Sequence, residues 1–188
     1  MKKIFIALLC SAGILSNTSV YGQITFVKGY IIDLKGDTSK GEIRQNEKKE
    51  VDNYSKVYFR VSEQAEGKTY RAVRLKEYGF GGQTFIQKKV EGEFDFVRVL
   101  ATGELNLYEV KYEMEQVGKV VLDSDFYVEK STDSKENLIH IKSGKFKKEM
   151  SELTAKDTNL AQDLEQKKYD YSAIQDVVDA YNQWAKKQ

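Results

Sequence analysis

Up to residue 142 the chain is a series of short apolar and polar alternations broken by Gly, Asp and Asn, the period of half-buried strands. The densest is Phe94 to Tyr112. Its arms, Phe94–Ala101 and Leu105–Tyr112, meet at Thr102-Gly103-Glu104 and are rich in aromatic and β-branched residues, which suit a pleated, packed surface. Phe94, Phe96 and Leu100 oppose Val97 and Val99 on the first arm; Leu105 and Leu107 oppose Tyr108, Val110 and Tyr112 on the second. Apolar residues on both faces predict a central strand pair with further strands beside it and cover on at least one face.

The same period predicts strands over Ile24–Leu34, Lys40–Arg44, Val57–Val61, Thr69–Val73, Thr84–Val90, Val120–Glu129 and Leu138–Lys142. Lys35-Gly36-Asp37-Thr38 reads as the turn of a first hairpin. Gln45–Lys56 and Lys130–Asn137 are polar and read as solvated loops, while Arg74–Tyr78 has no decisive period. Gly79-Phe80-Gly81-Gly82 reads as a flexible turn: it lacks the Lys-Ser/Thr of a nucleotide-binding loop, and no helix start follows it.

From Ser143 the apolar spacing becomes helical. Phe146, Met150 and Leu153 make one stripe. Leu160 and Leu164 predict a second short helix, with Asp157 or Thr158 as its cap. In the third, Ile174, Val177, Val178, Tyr181, Trp184 and Ala185 share one side, and Gln175, Asp176, Asp179, Asn182, Gln183 and Lys186 the other. Ser172 and Gln175 have capping-box spacing. The pattern therefore predicts an α+β fold: a mainly antiparallel sheet or partial barrel of about eight strands, followed by three C-terminal helices.

The first residues give a destination. Lys2 and Lys3 precede the apolar run Ile4–Leu15, and a polar stretch follows; this is the layout of a secretory signal peptide. The run is short of the roughly 20 residues that span a bilayer. Small residues before the cut place cleavage between Gly22 and Gln23. Leu9 stands before Cys10, where a lipid anchor would need a small residue. The organisation is thus a leader over 1–22 and one domain over 23–188, with a β-rich part at 23–142 and a helical tail at 143–188. The mature chain is expected in the periplasm, at the outer membrane or outside the cell, with no membrane-spanning segment.

Without the leader, 28 basic residues face 29 acidic ones. That balance offers no electrostatic footprint for nucleic acid. Cys10, the one cysteine, leaves with the leader, so no disulfide, thiolate metal site or thiol nucleophile is expected. There is no proline, so turns must rest on Gly, Asn and Asp.

Lys28-Gly29-Tyr30-Ile31-Ile32-Asp33-Leu34-Lys35-Gly36-Asp37-Thr38 with Lys40-Gly41-Glu42-Ile43 resembles the strand-turn-strand that opens a family of small exported Bacteroidota proteins. Val99–Tyr108 and Ile174–Asn182 resemble later parts of the same pattern. The resemblance implies an envelope location and this fold. Its motifs are turn glycines and core hydrophobes, and it carries no catalytic residues.

Candidate chemistry is sparse. His140 is the single histidine and alternates with Ile139 and Ile141 in a strand; zinc would need carboxylates for nearly every other ligand, and no serine elbow is present for a triad. Asp95, Glu104, Glu109 and Glu113 lie on or near the central hairpin, but nothing marks two of them as a glycosidase-type pair. Asp123-Ser124-Asp125 lacks the glycine and distal glutamate of a calcium loop and reads as a turn or strand-end pair. No catalytic residue, metal or cofactor is expected. Tyr78, Phe80 and Phe85 flank the glycine-rich turn; core packing is their ordinary role, and exposure would let them hold sugar or peptide. The expected function is an exported, non-enzymatic envelope module contacting protein or glycan. Its rival is a carboxylate-dependent hydrolase of envelope polysaccharide; the oligomeric state stays open.

Overall fold

The computed structural model describes residues 25–45, 47–132 and 138–188. The leader, its cleavage point at Gly22 and Gln23, and most of the loop read over Lys130–Asn137 lie outside the described residues. Among the described residues ten strands, not about eight, form one antiparallel sheet: β1 Thr25–Asp33, β2 Thr38–Gln45, β3 Lys56–Arg60, β4 Lys68–Arg71, β5 Leu75–Phe80, β6 Gln83–Val90, β7 Glu93–Ala101, β8 Leu105–Gln116, β9 Lys119–Lys130 and β10 Ile139–Ile141. Their spatial order is β10-β9-β8-β7-β6-β5-β1-β2-β3-β4. Two meanders are thus joined where β1 pairs with both β2 and β5. A 3-10 turn, Ala72–Arg74, links the β4 edge to β5.

Half of the glycine cluster is strand. Gly79 and Phe80 belong to β5, and only Gly81-Gly82 makes the turn to β6, both at positive φ. Glu91-Gly92 and Val117-Gly118 repeat that two-residue geometry between β6 and β7 and between β8 and β9. Paired positive φ values define the hairpin turn whose twist matches that of the strands it joins. Asp33 organises the longer β1–β2 turn: its Oδ1 accepts from the amides of Lys35, Gly36 and Asp37.

Cross-strand partners share a face, so one face collects Ile31, Ile43, Phe59, Tyr78, Phe85 and Phe96 toward the β1–β7 side, where they form one buried cluster. Because β2 and β3 residues meet rings from β6 and β7 in it, the sheet curls on itself there. Gln45–Lys56, read as a solvated loop, is instead largely a 3-10 segment, Glu47–Tyr54, lying across the curl. Tyr54 enters the cluster, and the Asn53 carbonyl accepts from the Tyr78 hydroxyl.

Toward β8–β10 the same face is covered by the helices α1 Phe146–Leu153, α2 Thr158–Glu165 and α3 Ile174–Ala185. Leu105, Leu107, Val128 and Ile141 pack there against Phe146, Met150, Leu160, Leu164, Ile174, Val177, Val178 and Tyr181. Asp157 caps α2, as its position predicts, accepting from Asn159 and Leu160. The start of α3 differs from the capping-box expectation: Asp170 accepts from Ser172, and a 3-10 turn, Tyr171–Ala173, leads into the helix. Trp184 is half-buried and stacks on Tyr181 at 5.4 Å. Val97, Tyr108 and Tyr127 form a smaller cluster on the opposite face. No helix among the described residues is long and apolar enough to cross a membrane.

Candidate functional site

Between the two clusters of the concave face runs a polar seam. The Arg98 guanidinium lies 2.6 Å from the Glu109 carboxylate, a pair set opposite each other by the β7–β8 register. Glu109 is 5% exposed and also accepts from the Tyr54 hydroxyl at 3.0 Å and the Ser124 hydroxyl at 3.0 Å. Burial, then the Glu109 charge, drive the Tyr54 phenol far above its ordinary range. Lys111 extends the seam to Glu50 at 2.7 Å. On the convex face Glu129 is held in the same way, by Lys88 at 2.9 Å and by the Tyr108 hydroxyl at 2.8 Å. These carboxylates are engaged as anchors between elements and lie on opposite sides of the sheet.

The other sequence candidates are scattered. Tyr78, Phe80 and Phe85, candidates for binding only if exposed, are none of them more than 6% exposed. Tyr78 stacks on Phe85 at 4.7 Å and Phe80 on Phe85 at 5.8 Å, because β5 and β6 turn these positions into the curl. Their faces are spent on one another, so core packing is their role. His140 contacts Asp125 at 3.2 Å and stacks on Tyr127 at 4.7 Å. Asp123-Ser124-Asp125 is neither turn nor strand end but lies within β9. Glu104 faces Lys156 at 3.7 Å, and Glu113 sits on the exposed β8–β9 arm. No cluster of metal-ligating side chains is found among the described residues.

Two hollows remain. The first, about 310 Å³, is lined by Arg44, Lys49, Asp52, Asn53, Lys56, Tyr58 and Thr69. The β2–β3 and β3–β4 registers set Arg44, Tyr58 and Thr69 side by side on the convex face. The Arg44 guanidinium lies 4.5 Å over the Tyr58 ring, which meets Phe26 edge-on; the Phe26 ring in turn carries the Arg60 guanidinium at 3.6 Å. Asp52 pairs with Lys56 at 3.4 Å. Three cations against one acid leave this hollow electropositive, with an amide and a hydroxyl as neutral partners.

The second hollow, about 460 Å³, adjoins it through Lys56 and is lined by Ser55, Arg71, Val73, Gly92, Glu93, Phe94 and Asp95. Burial, then the nearby Glu93 charge, raise the Asp95 carboxyl above its ordinary value. Phe94, which the strand pattern places on one face with Phe96 and Leu100, is exposed here.

The alternation Lys56-Val57-Tyr58-Phe59-Arg60 already separates a polar-aromatic face from an apolar one. Joining it to Arg44 requires the pairing of β2 with β3 across an insertion whose structure the sequence pattern misses. The chain matches no protein-family model, and neither a curated protein nor a solved structure is found to be similar to it.

Proposed function

We propose that the chain is exported to the cell envelope and works there as a non-enzymatic binding module, its ligand an acidic glycan held in the Arg44–Tyr58 hollow. The leader-like N-terminus and the resemblance of the opening hairpin to exported Bacteroidota proteins support the location. The observation that carries the binding reading is the hollow's composition. An aromatic ring, a guanidinium stacked on it and two lysines line one concavity with Asn53 and Thr69. A planar guanidinium recognises a carboxylate or sulfate through paired N–H donors, and a few convergent polar groups beside an aromatic wall orient a small ligand.

Calorimetric titration with a uronic-acid oligosaccharide, against a neutral one of equal length, tests it. Selective binding that weakens with salt, and falls at least about tenfold in Arg44→Ala, is expected, since loss of a charge-assisted contact is worth about 1.5–3 kcal/mol. Equal binding of both sugars, or an unchanged Arg44→Ala, rejects the reading.

One observation favours the hydrolase rival: Asp95, its carboxyl raised beside Glu93, lines the neighbouring hollow. A raised carboxyl suits a general acid. Release of reducing ends from acidic polysaccharide, abolished by Asp95→Asn and Glu93→Gln separately, would establish it; no release removes it.

A further inference from the structure

The β8–β9 hairpin runs beyond the rest of the sheet. β7 pairs with β8 only from Arg98 to Ala101, opposite Leu107–Glu109, whereas β8 and β9 pair from Leu105–Lys130 to Gln116–Lys119. On its outer side β9 is joined by β10 at Phe126–Val128 alone. Among the described residues, Lys119–Asp125 is therefore an open strand edge. It carries no proline or bulge, the devices that blunt such edges, and Val120 and Leu122 beside it are 68% and 52% exposed on one face.

We propose that this edge pairs with the same edge of a second copy, antiparallel about Val121, so that two sheets become one. The sequence Lys119-Val120-Val121-Leu122-Asp123 is complementary to itself in that register. Lys119 of one copy lies opposite Asp123 of the other, Val120 opposite Leu122, and Val121 opposite its own counterpart on the two-fold axis. Both ion pairs fall on one face, and the two Val120–Leu122 pairs fall together on the other, which covers the exposed apolar residues. Such a contact is isologous and closes after two copies.

Neighbouring registers do not achieve this. Pairing about Leu122 sets Val120 against Ser124 and brings Lys119 of the second copy opposite Asp125. β10 already ends beside that place, since Ile141 pairs with Phe126 and Lys142 follows it in the chain. Pairing about Val120 sets Lys119 against Val121 and Leu122 against Gly118. Charges on an edge strand usually forbid such pairing; here their spacing selects it. Five residues per copy make a small interface, so association is weak and concentration-dependent.

The single cysteine of the chain is Cys10, which makes cross-linking clean. In the full chain carrying Cys10→Ser, Val121→Cys places two thiols directly opposite, within the Cα spacing that a disulfide accepts. Mild oxidation should give a covalent dimer, much faster than Val117→Cys at the turn, which is 98% exposed. Sedimentation should show a reversible dimer in the parent chain, weakened about tenfold or more by Lys119→Asp or Asp123→Lys and restored when both are combined. A monomer throughout the millimolar range, equal cross-linking at positions 117 and 121, or single charge reversals without effect would each overturn the pairing.

Discussion

Asn182 sits on the side of α3 that the hydrophobic pattern assigns to water, yet it is buried and ties the helical layer to the sheet. Its Oδ1 accepts from the Leu105 amide at 2.9 Å and its Nδ2 donates to the Leu105 carbonyl at 2.8 Å. Both backbone groups lie just after the β7–β8 turn, where an in-strand partner is lacking and water is shut out. Gly103 completes the fit: a Cβ there would lie 2.5 Å from the Asn182 amide carbon. Asn182→Ala leaves two buried backbone groups unpaired, so unfolding in urea should show a loss of about 2–4 kcal/mol with an unchanged slope, at the 1–3 kcal/mol typical of each orphaned group. Gly103→Ala should destabilise through the same contact. A loss under about 0.5 kcal/mol for Asn182→Ala would mean that water replaces the amide. Nothing local to residue 182 reveals this role, because its partner is 77 positions away and an amide on a helix reads as surface until its neighbour is known.

At the scale of elements, legibility follows how local the decisive contact is. The three helices are readable because each buries its own stripe, Phe146-Met150-Leu153 most plainly. The first hairpin is readable from Gly36-Asp37 and the strands around it. The 3-10 segment Glu47–Tyr54 is not: it has no regular period, and what holds it is remote, through Tyr54 on Glu109 and Asn53 on Tyr78. Residues 113–116 lie beyond the strand expected to end at Tyr112, since glutamates and a glutamine argue against a strand; only pairing with β9 makes them part of β8. The turn at their end carries a local conflict. Val117 holds φ at 51° and is 98% exposed, so a β-branched residue occupies left-handed backbone with no packing in return. Asn accepts that conformation and is preferred in this turn. Val117→Asn should therefore stabilise the chain by about 1 kcal/mol, within the usual range for relieving such strain, and hydrogen exchange should slow across Glu113–Leu122. A loss of stability would show that Val117 is buried against a partner.

For the whole molecule, sheet order is the feature least accessible from the pattern. Nothing in Thr25–Asp33 announces that this first strand will separate β2 from β5, yet that placement curls the sheet and gathers Tyr54, Tyr78 and Phe85 into one core. The curl, the helical layer and the small cluster on the opposite face also enclose much of the phenol chemistry. Tyr127 and Tyr171 are each pushed up to about 12, mainly by burial, with Asp125 a further cause for both; Tyr54 and Tyr78 are likewise pushed well above the ordinary tyrosine range, again mainly by burial. A folded-state pKa above the unfolded value of about 10 means that the fold favours the neutral phenol. The resulting stability is fully present below pH 10 and is lost as pH rises through 12. Phenolate absorbance from Tyr54, Tyr78, Tyr127 and Tyr171 should accordingly appear only above the ordinary tyrosine range and in step with loss of the native circular dichroism. Tyr127→Phe should flatten the decline between pH 10 and 12. Ionisation of Tyr54, Tyr78, Tyr127 and Tyr171 in one step near pH 10, with the native spectrum intact, would contradict that enclosure.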